Sequence, residues 1–318
     1  MLHSALATQL NLRSGGLPVL RIDSTPEAQR WAAENRDAIR ATVTEQGSVM
    51  IRGLGLRDAA EAGAVFRTLA PAGLMIEREA FASRQTYSDG VYSSSKWPAN
   101  QPMCMHHELS YLLQPPSLLM FACVGAPTTG GATAVADSTA VLDALPTELV
   151  ERFESAGWLL TRSYNEEVGA SLTDAFGTED RGAVETYCRT NAIAFEWQPD
   201  GGLHTRQRRS AVVRHPVTDQ RCWFNQIAFL NEWTMAPEVH EFLVDVYGAN
   251  GLPFNTRFGN GDPIGADVVQ LLNDAYEANT VREPWQAGDL LLVDNVRTAH
   301  SREPFTGPRD VVVGMSTR

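Results

Sequence analysis

Residues 288–316 read GDLLLVDNVRTAHSREPFTGPRDVVVGMS, and this stretch decides the fold class. The apolar run within residues 289–294 is typical of a buried strand. Further strand patterns follow at residues 298–300 and 310–316, and Gly and Pro residues lie between them. The C-terminal part of the chain is therefore predicted to be all strand.

Short apolar segments of the same kind occur earlier in the chain, bounded by Gly and Pro. They are found at residues 48–51, 103–111, 117–124, 133–136, 193–197, 211–214 and 221–224. Strands on both sides of a mixed central region favour a β-sandwich of the jelly-roll type. Neither βαβ alternation nor a GxGxxG motif is present, so a dinucleotide-binding fold is not expected.

Apolar residues at helical spacing predict helices between and beside these strands. They begin near Thr25–Pro26 and cover residues 57–69, 237–246 and 263–277, and Asp262 is the predicted cap of the last one. Residues 138–200 contain further helical patches at 146–156 and 182–190. We interpret this region as an insertion, with its polar segment 165–180 as a candidate mobile lid.

The predicted architecture is therefore mainly β with helical insertions. Its core is a double-stranded β-helix, the jelly-roll or cupin-like arrangement. We expect one domain over residues 1–318, within which residues 138–200 form the insertion.

The composition excludes several classes of protein. The chain has 318 residues and a formal net charge of −12, which argues against a general binder of nucleic acid or anionic membranes. Four widely spaced cysteines include no CxxC pair, so neither a zinc ribbon nor a disulfide scaffold is expected. With no signal-peptide pattern and no apolar run long enough for a membrane helix, we expect a cytoplasmic protein.

Histidine and glutamate lie two positions apart in the segment Met105-His106-His107-Glu108. In a strand, residues i and i+2 face the same side, so His106 and Glu108 can bind one metal ion while His107 points away. His300, just after the apolar run, is the natural third ligand. Two histidines and one carboxylate are the ligand set of non-heme Fe(II) oxygenases. An HxE pair alone is weak evidence, because such pairs often arise by chance.

Four stretches together resemble one known family. They are GVYSSSKWPANQPMCMHHELSY at 90–111, PTTGGATAVADS at 127–138, RCWFNQ at 221–226 and GDLLLVDNVRTAHSREPFTGPR at 288–309. Over residues 81–145 and 187–315 the chain resembles the TauD/TfdA family of Fe(II)/2-oxoglutarate-dependent dioxygenases. Within that family it looks most similar to the SyrP-like branch.

The resemblance implies roles for five residues. His106, Glu108 and His300 match the iron ligands, and Thr133 and Arg309 match the pair that holds the distal carboxylate of 2-oxoglutarate. An arginine fork suits a carboxylate in both shape and charge. Halogenases of this superfamily have Ala or Gly at the carboxylate ligand, so a glutamate there favours oxygenation over chlorination.

Candidates for the substrate pocket are more open. Arg84 is a candidate partner for a substrate carboxylate, and a surface arginine is the alternative. His107 either lines the pocket or packs as a hydrogen-bonded strand residue. Tyr111 and Asn225 are weaker candidates that structural hydrogen bonds would also explain. Val313 stands where several relatives carry a second arginine, which makes a taurine-like sulfonate site doubtful.

The implied activity needs Fe(II), 2-oxoglutarate and O2. We expect hydroxylation of an unactivated C–H bond in an amino acid or amino-acid derivative, in specialised metabolism. The same cofactors also support desaturation, epoxidation or cyclisation. The substrate is either free or attached to a carrier protein, for which the basic cluster at 206–214 is the candidate docking surface. A zinc hydrolase, a non-catalytic metal-binding jelly-roll and a ligand-binding β-sandwich are the remaining alternatives.

Overall fold

A computed structural model describes residues 10–11, 16–22, 27–165 and 168–317. The strands in chain order are β1 (Leu10–Asn11), β2 (Val19–Arg21), β3 (Ser48–Arg52), β4 (Thr86–Ser88), β5 (Val91–Ser93), β6 (Met103–His106), β7 (Leu118–Gly125), β8 (Thr129–Gly130), β9 (Val135–Asp137), β10 (Trp158–Tyr164), β11 (Ala194–Trp197), β12 (Leu203–Arg209), β13 (Val212–Arg214), β14 (Arg221–Trp223), β15 (Phe254–Phe258), β16 (Thr280–Val281), β17 (Leu290–Asp294), β18 (Thr298–Arg302), β19 (Phe305–Thr306) and β20 (Asp310–Ser316).

Helices lie between these strands. They are α1 (Ala28–Gln46), α2 (Ala59–Leu69), α3 (Ser138–Ala144), α4 (Thr147–Ala156), α5 (Leu172–Phe176), α6 (Arg181–Thr190), α7 (Pro237–Tyr247) and α8 (Ala266–Ala278), together with a 3-10 turn at Glu232–Thr234. The predicted start of the first helix at Thr25–Pro26 lies outside the described residues.

The larger sheet has the strand order β1-β2-β3-β17-β7-β20-β5-β4. Its central strand β17 pairs antiparallel with β3 on one side and β7 on the other. Leu291 and Val293 of β17 face one apolar cluster, and Leu290 and Leu292 face another on the opposite side. This strand is therefore buried on both faces, which explains its unbroken apolar run.

A smaller sheet, in the order β16-β9-β18-β6, packs against the inner face of the larger one. Ala134–Ala136 and Ala299 of this sheet share an apolar cluster with Leu119 and Phe121 of β7. Two facing sheets, antiparallel apart from the parallel β2–β3 pair, confirm the predicted double-stranded β-helix core. The strands β6 and β18 are neighbours in the smaller sheet, and both positions 106 and 300 lie on them.

Helices α1 and α2 cover the outer face of the larger sheet. Ile39 and Val43 of α1 and Phe66 and Leu69 of α2 are buried against the outward residues of β17 and β7. Each such side chain contributes about 2 kcal/mol when fully removed from water. This helical layer stabilises the larger sheet from outside and does not enter the space between the two sheets.

A third sheet, in the order β11-β12-β10-β15, lies beside the core. Its strands β10 and β11 and helices α3 to α6 come from the predicted insertion at residues 138–200. Helices α5 and α6 pack over this sheet in a separate small cluster that contains Phe176, Val184 and Cys188. The mobility of segment 165–180 stays a prediction.

Two local predictions were wrong. The strand predicted at 103–111 ends at His106, because the chain turns at Glu108–Ser110 and Leu109 takes the left-handed conformation with φ of 51°. Asp262 does not cap the last helix, since α8 begins at Ala266 after Gly265. The Asp262 carboxylate instead accepts from Arg152 at 2.8 Å.

Candidate active site

The two histidines of the predicted metal site lie on adjacent strands. His106 ends β6, and its Cα is paired directly with that of His300 in β18. Opposed residues on antiparallel strands place their side chains on the same face. The two ring centroids are consequently 4.3 Å apart, and both side chains are buried.

Glu108 joins them from the turn after β6 rather than from the strand itself. Its Oε2 atom lies 3.8 Å from Nε2 of His106 and 3.4 Å from Nε2 of His300. The turn is held by the side chain of Asn295, which accepts from the Glu108 amide at 2.8 Å and donates to the Glu108 carbonyl at 2.9 Å. Asn295 therefore fixes the backbone from which the carboxylate projects.

The protonation of these residues suits metal binding. Nδ1 of His106 lies 2.8 Å from the carbonyl of Cys104, so an Nδ1 proton donated there leaves Nε2 free as a ligand. Burial, with a smaller contribution from the neighbouring His106, lowers the pKa of His300 to about 4. Metal ligands must be deprotonated, and His300 is neutral at physiological pH.

The carboxylate of Glu108 also has a charged neighbour. Arg84 donates to Oε1 of Glu108 at 3.1 Å and lies 3.2 Å from the carboxylate of Glu77, and all three side chains are nearly buried. Burial alone would raise the pKa of Glu108, but the Arg84 guanidinium and the two histidines hold it well below its usual value. Glu108 is therefore an anion held in place on both of its oxygens.

A small cavity between the sheets contains the ligand set and the predicted cosubstrate residues. Thr133, Arg309 and Ser94 line it together with the three metal-site residues. Arg309 donates to the carbonyl of Gly131 at 2.9 Å and lies 3.3 Å from the hydroxyl of Thr133. Gly131 has a φ of 70°, and a Cβ there would lie 3.1 Å from the Arg309 side chain, so glycine permits this close approach.

The residues present fit an iron ion and 2-oxoglutarate. The separations of 3.4 and 3.8 Å from Glu108 are shorter than twice a metal–nitrogen distance of about 2.1 Å, so one ion can reach all three ligands. Among the described residues, Arg309 makes no ion pair, and burial lowers its pKa to about 10. A cation held in a cavity without a counter-charge favours an anionic ligand there, as the distal carboxylate would be.

A second, larger cavity lies near His106. It has a volume of about 490 Å³ and is lined by four aromatic side chains, namely Phe81, Trp97, Phe229 and Phe254. We call this cavity the aromatic chamber. The Phe229 ring stacks on the His106 ring with centroids 4.5 Å apart. Phe81 and Phe229 also line a small pocket that contains His106 and Glu108, which we call the passage, so the chamber lies beside the metal site.

The structure places the weaker substrate candidates in structural roles. His107 is fully buried and lies 3.1 Å from the Ser138 hydroxyl through Nε2, and burial lowers its pKa to about 3. The Tyr111 hydroxyl donates to the carbonyl of Glu79 at 2.7 Å. The Asn225 amide donates to the carbonyl of Ala211 at 3.2 Å. His107 and Asn225 do not line the cavities at the metal site, whereas Tyr111 borders the passage.

Arg84 is not a surface residue, and its charge is already opposed by two carboxylates.

Two further residues at the site were missed in the sequence. Asn295 stands within the quoted stretch at 288–309, but the fold alone brings it to Glu108. Phe229 lies three residues beyond the quoted RCWFNQ, and its aromatic character was the available signal.

The basic cluster at 206–214 is largely used within the chain. Arg209 donates to the carbonyls of Tyr111 and Asn191, and Arg208 donates to the carbonyl of Ala156. Arg214 pairs with Asp219 at 3.1 Å. Bonds to neutral carbonyls leave the charges of Arg208 and Arg209 in place, so docking of an acidic carrier at this cluster stays a prediction. Within the described ranges, none of the helices is long and apolar enough to cross a bilayer.

Comparison with known proteins identifies the family. The family model described as "Taurine catabolism dioxygenase TauD, TfdA family" matches residues 21–315. Dapdiamide synthesis protein DdaC of Enterobacter agglomerans is 32% identical over 292 residues, which cover 92% of this chain and 88% of that protein. A clavaminate synthase-like protein of Arabidopsis thaliana is 28% identical, with 95% and 91% of the two chains covered.

The fold is also shared with solved structures. PvcB of Pseudomonas aeruginosa superposes with a TM-score of 0.54 at 14% identity, covering 95% of this chain and 86% of PvcB. At that identity the likeness concerns the fold, while the family rests on the matched model and on DdaC. The chain therefore belongs to the TauD/TfdA family of Fe(II)/2-oxoglutarate-dependent dioxygenases.

Proposed function

We propose that this enzyme hydroxylates an unactivated C–H bond of an amino acid or small amino-acid derivative in specialised metabolism. The observation that carries the proposal is that His106 and Glu108 line the small cavity with Thr133 and Arg309, while the Phe229 ring that stacks on His106 also lines the aromatic chamber. A cosubstrate and an organic substrate can thus bind in separate cavities near one metal ion.

Each residue has a defined task in this arrangement. His106, Glu108 and His300 would hold the iron, and Thr133 and Arg309 would hold the distal carboxylate of 2-oxoglutarate. The bound cofactors supply an oxidation in which one oxygen atom of O2 enters the C–H bond and the other enters succinate, with release of CO2. The aromatic chamber orients the substrate and limits access of water to the reacting carbon.

Glu108 supports oxygenation over halogenation, because its side chain occupies the position that the halogenases of this superfamily leave open. Position 313 supports a substrate other than a sulfonate. Val313 lies on β20 and lines the small cavity, so the second arginine of several relatives has no equivalent there. An anionic group of the substrate must then be bound elsewhere.

The substrate class is supported by the relative in dapdiamide synthesis and by the size of the chamber. A volume of about 490 Å³ is large enough for a small molecule. The four aromatic rings favour a substrate that presents apolar carbon atoms to the oxidant. Free and carrier-bound substrates both remain within the proposal. Desaturation, epoxidation and cyclisation would be recognised from the mass of the product.

The test begins with anaerobic titration of the apo-protein with Fe(II) and 2-oxoglutarate. We expect a visible charge-transfer band that is absent in His106→Ala and weakened in Arg309→Ala. His204→Ala is the matched control, because His204 lies on β12 away from both cavities. Amino acids and their pantetheine thioesters are then screened for O2-dependent formation of succinate with a product gain of one oxygen atom.

A wild-type protein without this band at any ratio of metal to protein would refute the proposal. In that case a zinc hydrolase or a non-catalytic metal-binding protein would explain the same ligand set.

A further inference from the structure

Lysine is used at a single position in this chain. Lys96 is the sole lysine of the sequence, in which 26 residues are Lys or Arg. Arginine forms planar, multiply bonded pairs, whereas lysine carries a compact charge on a flexible stem that adapts to a mobile anion. The place of this one lysine is therefore informative.

Lys96 lies at the mouth of the aromatic chamber. Its side chain lines the chamber and is exposed, and the preceding Ser95 lines both the small cavity and the passage that contain His106 and Glu108. The lysine is therefore the immediate chain neighbour of a residue in the wall of the metal site. Consecutive Cα atoms are about 3.8 Å apart, so Lys96 is anchored close to that wall while its side chain lines the chamber.

The backbone around Lys96 is tied to the metal-site strand. The Lys96 amide donates to the carbonyl of Ser83 at 3.0 Å. Arg302, two residues after His300 on β18, donates to the carbonyls of Trp97 at 3.1 Å and Pro98 at 2.6 Å. The loop is thus positioned by the same strand that positions an iron ligand.

The other cationic side chains near the chamber already bind groups of the protein itself. Arg162 lines the chamber but donates to the carbonyls of Glu79 and Ala80 at 2.8 and 2.9 Å. Arg84 pairs with Glu77 and Glu108. Within the part of the chain that the structure describes, Lys96 forms no side-chain hydrogen bond or ion pair. It is the cation of the described chamber lining that is free to bind a ligand.

We propose that Lys96 binds the anionic group of the organic substrate and so selects substrates that carry an oxyanion. This inference rests on the proposed function and names the residue that replaces the arginine absent at position 313. The oxyanion is either the carboxylate of a free amino acid or the phosphate of a carrier's pantetheine arm. Asp174 also lines the chamber, so the lining carries charges of both signs, as a zwitterionic amino acid requires.

A labelling experiment tests this site without turnover. The anaerobic protein with Fe(II) and 2-oxoglutarate is treated with an amine-acetylating reagent, and modification of Lys96 is measured by peptide mass. The α-amino group of the chain is the internal reference, which corrects for reagent consumed by the probes. The probes are a mixture of the proteinogenic amino acids, the corresponding amides, and 4′-phosphopantetheine.

We expect the amino acids to slow acetylation of Lys96 several-fold relative to the reference, and the amides to have no effect. Protection by 4′-phosphopantetheine instead of the amino acids would assign the same site to a carrier arm. Protection by neither probe would overturn the inference.

Substitutions give an independent test once a substrate has been found by succinate formation. For Lys96→Met we expect KM for the organic substrate to rise about 10- to 100-fold, because a hydrogen-bonded charge is lost. Lys96→Arg should recover part of that loss, and KM for 2-oxoglutarate and the charge-transfer band should not change. An unchanged substrate KM in a Lys96→Met protein with a normal band would overturn the role of Lys96 and leave the dioxygenase proposal intact.

Discussion

The two cavities near His106 are built from different kinds of structure. The small cavity is lined mainly by residues on or beside strands of the two facing sheets, such as His300 on β18 and Val313 on β20. The aromatic chamber is lined mainly by loops and by α7, with single strand residues such as Phe254 at the start of β15, which is far from Phe81 in the sequence.

This difference assigns the chemistry to the small cavity and the substrate selectivity to the aromatic chamber. Strands in a hydrogen-bonded register hold side chains within narrow limits, which a metal and a bidentate cosubstrate require. Loops tolerate changes of length and composition, so they are where substrate preference is commonly determined. Substitutions in the two cavities should therefore produce different defects, and four of them test this in order of expected effect.

Glu108→Ala should give the largest effect, since it removes a ligand that serves both cavities. It also leaves Arg84 with one of its two carboxylate partners. We expect the charge-transfer band and succinate formation to fall below detection. Glu61→Ala, which removes an exposed ion pair with Arg57, is the control. Retention of hydroxylation by Glu108→Ala would show that the carboxylate is not a ligand.

Arg309→Ala should affect the small cavity alone. Loss of one partner of a hydrogen-bonded charge pair costs about 2–5 kcal/mol, so the affinity for 2-oxoglutarate should fall by about 30-fold or more. The band should return at high 2-oxoglutarate, and KM for the organic substrate should stay close to wild type. Arg30→Ala is the exposed control. An equal loss of affinity for both substrates would contradict the separation of the cavities.

Asn295→Ala should weaken iron binding without touching a ligand atom. It removes the two hydrogen bonds that hold the Glu108 backbone. Loss of a partner that orients a metal ligand typically costs 10- to 100-fold in affinity, so we expect a shift of about that size in an Fe(II) titration. Asn279→Ala, which loses one bond at the end of α8, is the control. Equal Fe(II) affinities in the two variants would rule out the role of Asn295.

Phe254→Leu should give the smallest effect and should be confined to the chamber. The ring packs edge-to-face on Phe81 with centroids 4.8 Å apart and is half-buried, so leucine can replace much of its volume. We expect KM for the organic substrate to change by about tenfold, with the band and KM for 2-oxoglutarate unchanged. A shifted 2-oxoglutarate KM would mean that the chamber wall also supports the cosubstrate.

The sequence predicted the strand-built half of the molecule more fully than the loop-built half. The apolar run in β17 and the spacing of His106 from Glu108 are local signals, so they can be read directly. The turn at Leu109 cannot be read this way, because the hydrogen bonds from Asn295 hold it across more than 180 residues of sequence. The strand argument still placed His106 and Glu108 together, although Glu108 reaches the site from a turn.

The chamber depends almost entirely on distant contacts. Phe229 becomes a site residue because its ring stacks on His106, and the same ring in another fold would be ordinary core. The cap assigned to Asp262 was wrong because α8 begins four residues later, at Ala266, and the Asp262 carboxylate instead binds Arg152 from α4. Lys96 was visible as the only lysine, but only the fold shows that it faces the chamber.

Strand β17 has a further consequence in evolutionary terms. Its inner face packs in the core between the sheets, its outer face supports α1 and α2, and its last residue is followed by Asn295, which holds Glu108. Selection for stable folding and selection for iron binding therefore act on the same six positions, 290–295. A deep mutational scan with separate readouts for abundance and activity should find few tolerated changes there. Along α7 it should find many that alter the substrate and spare the protein.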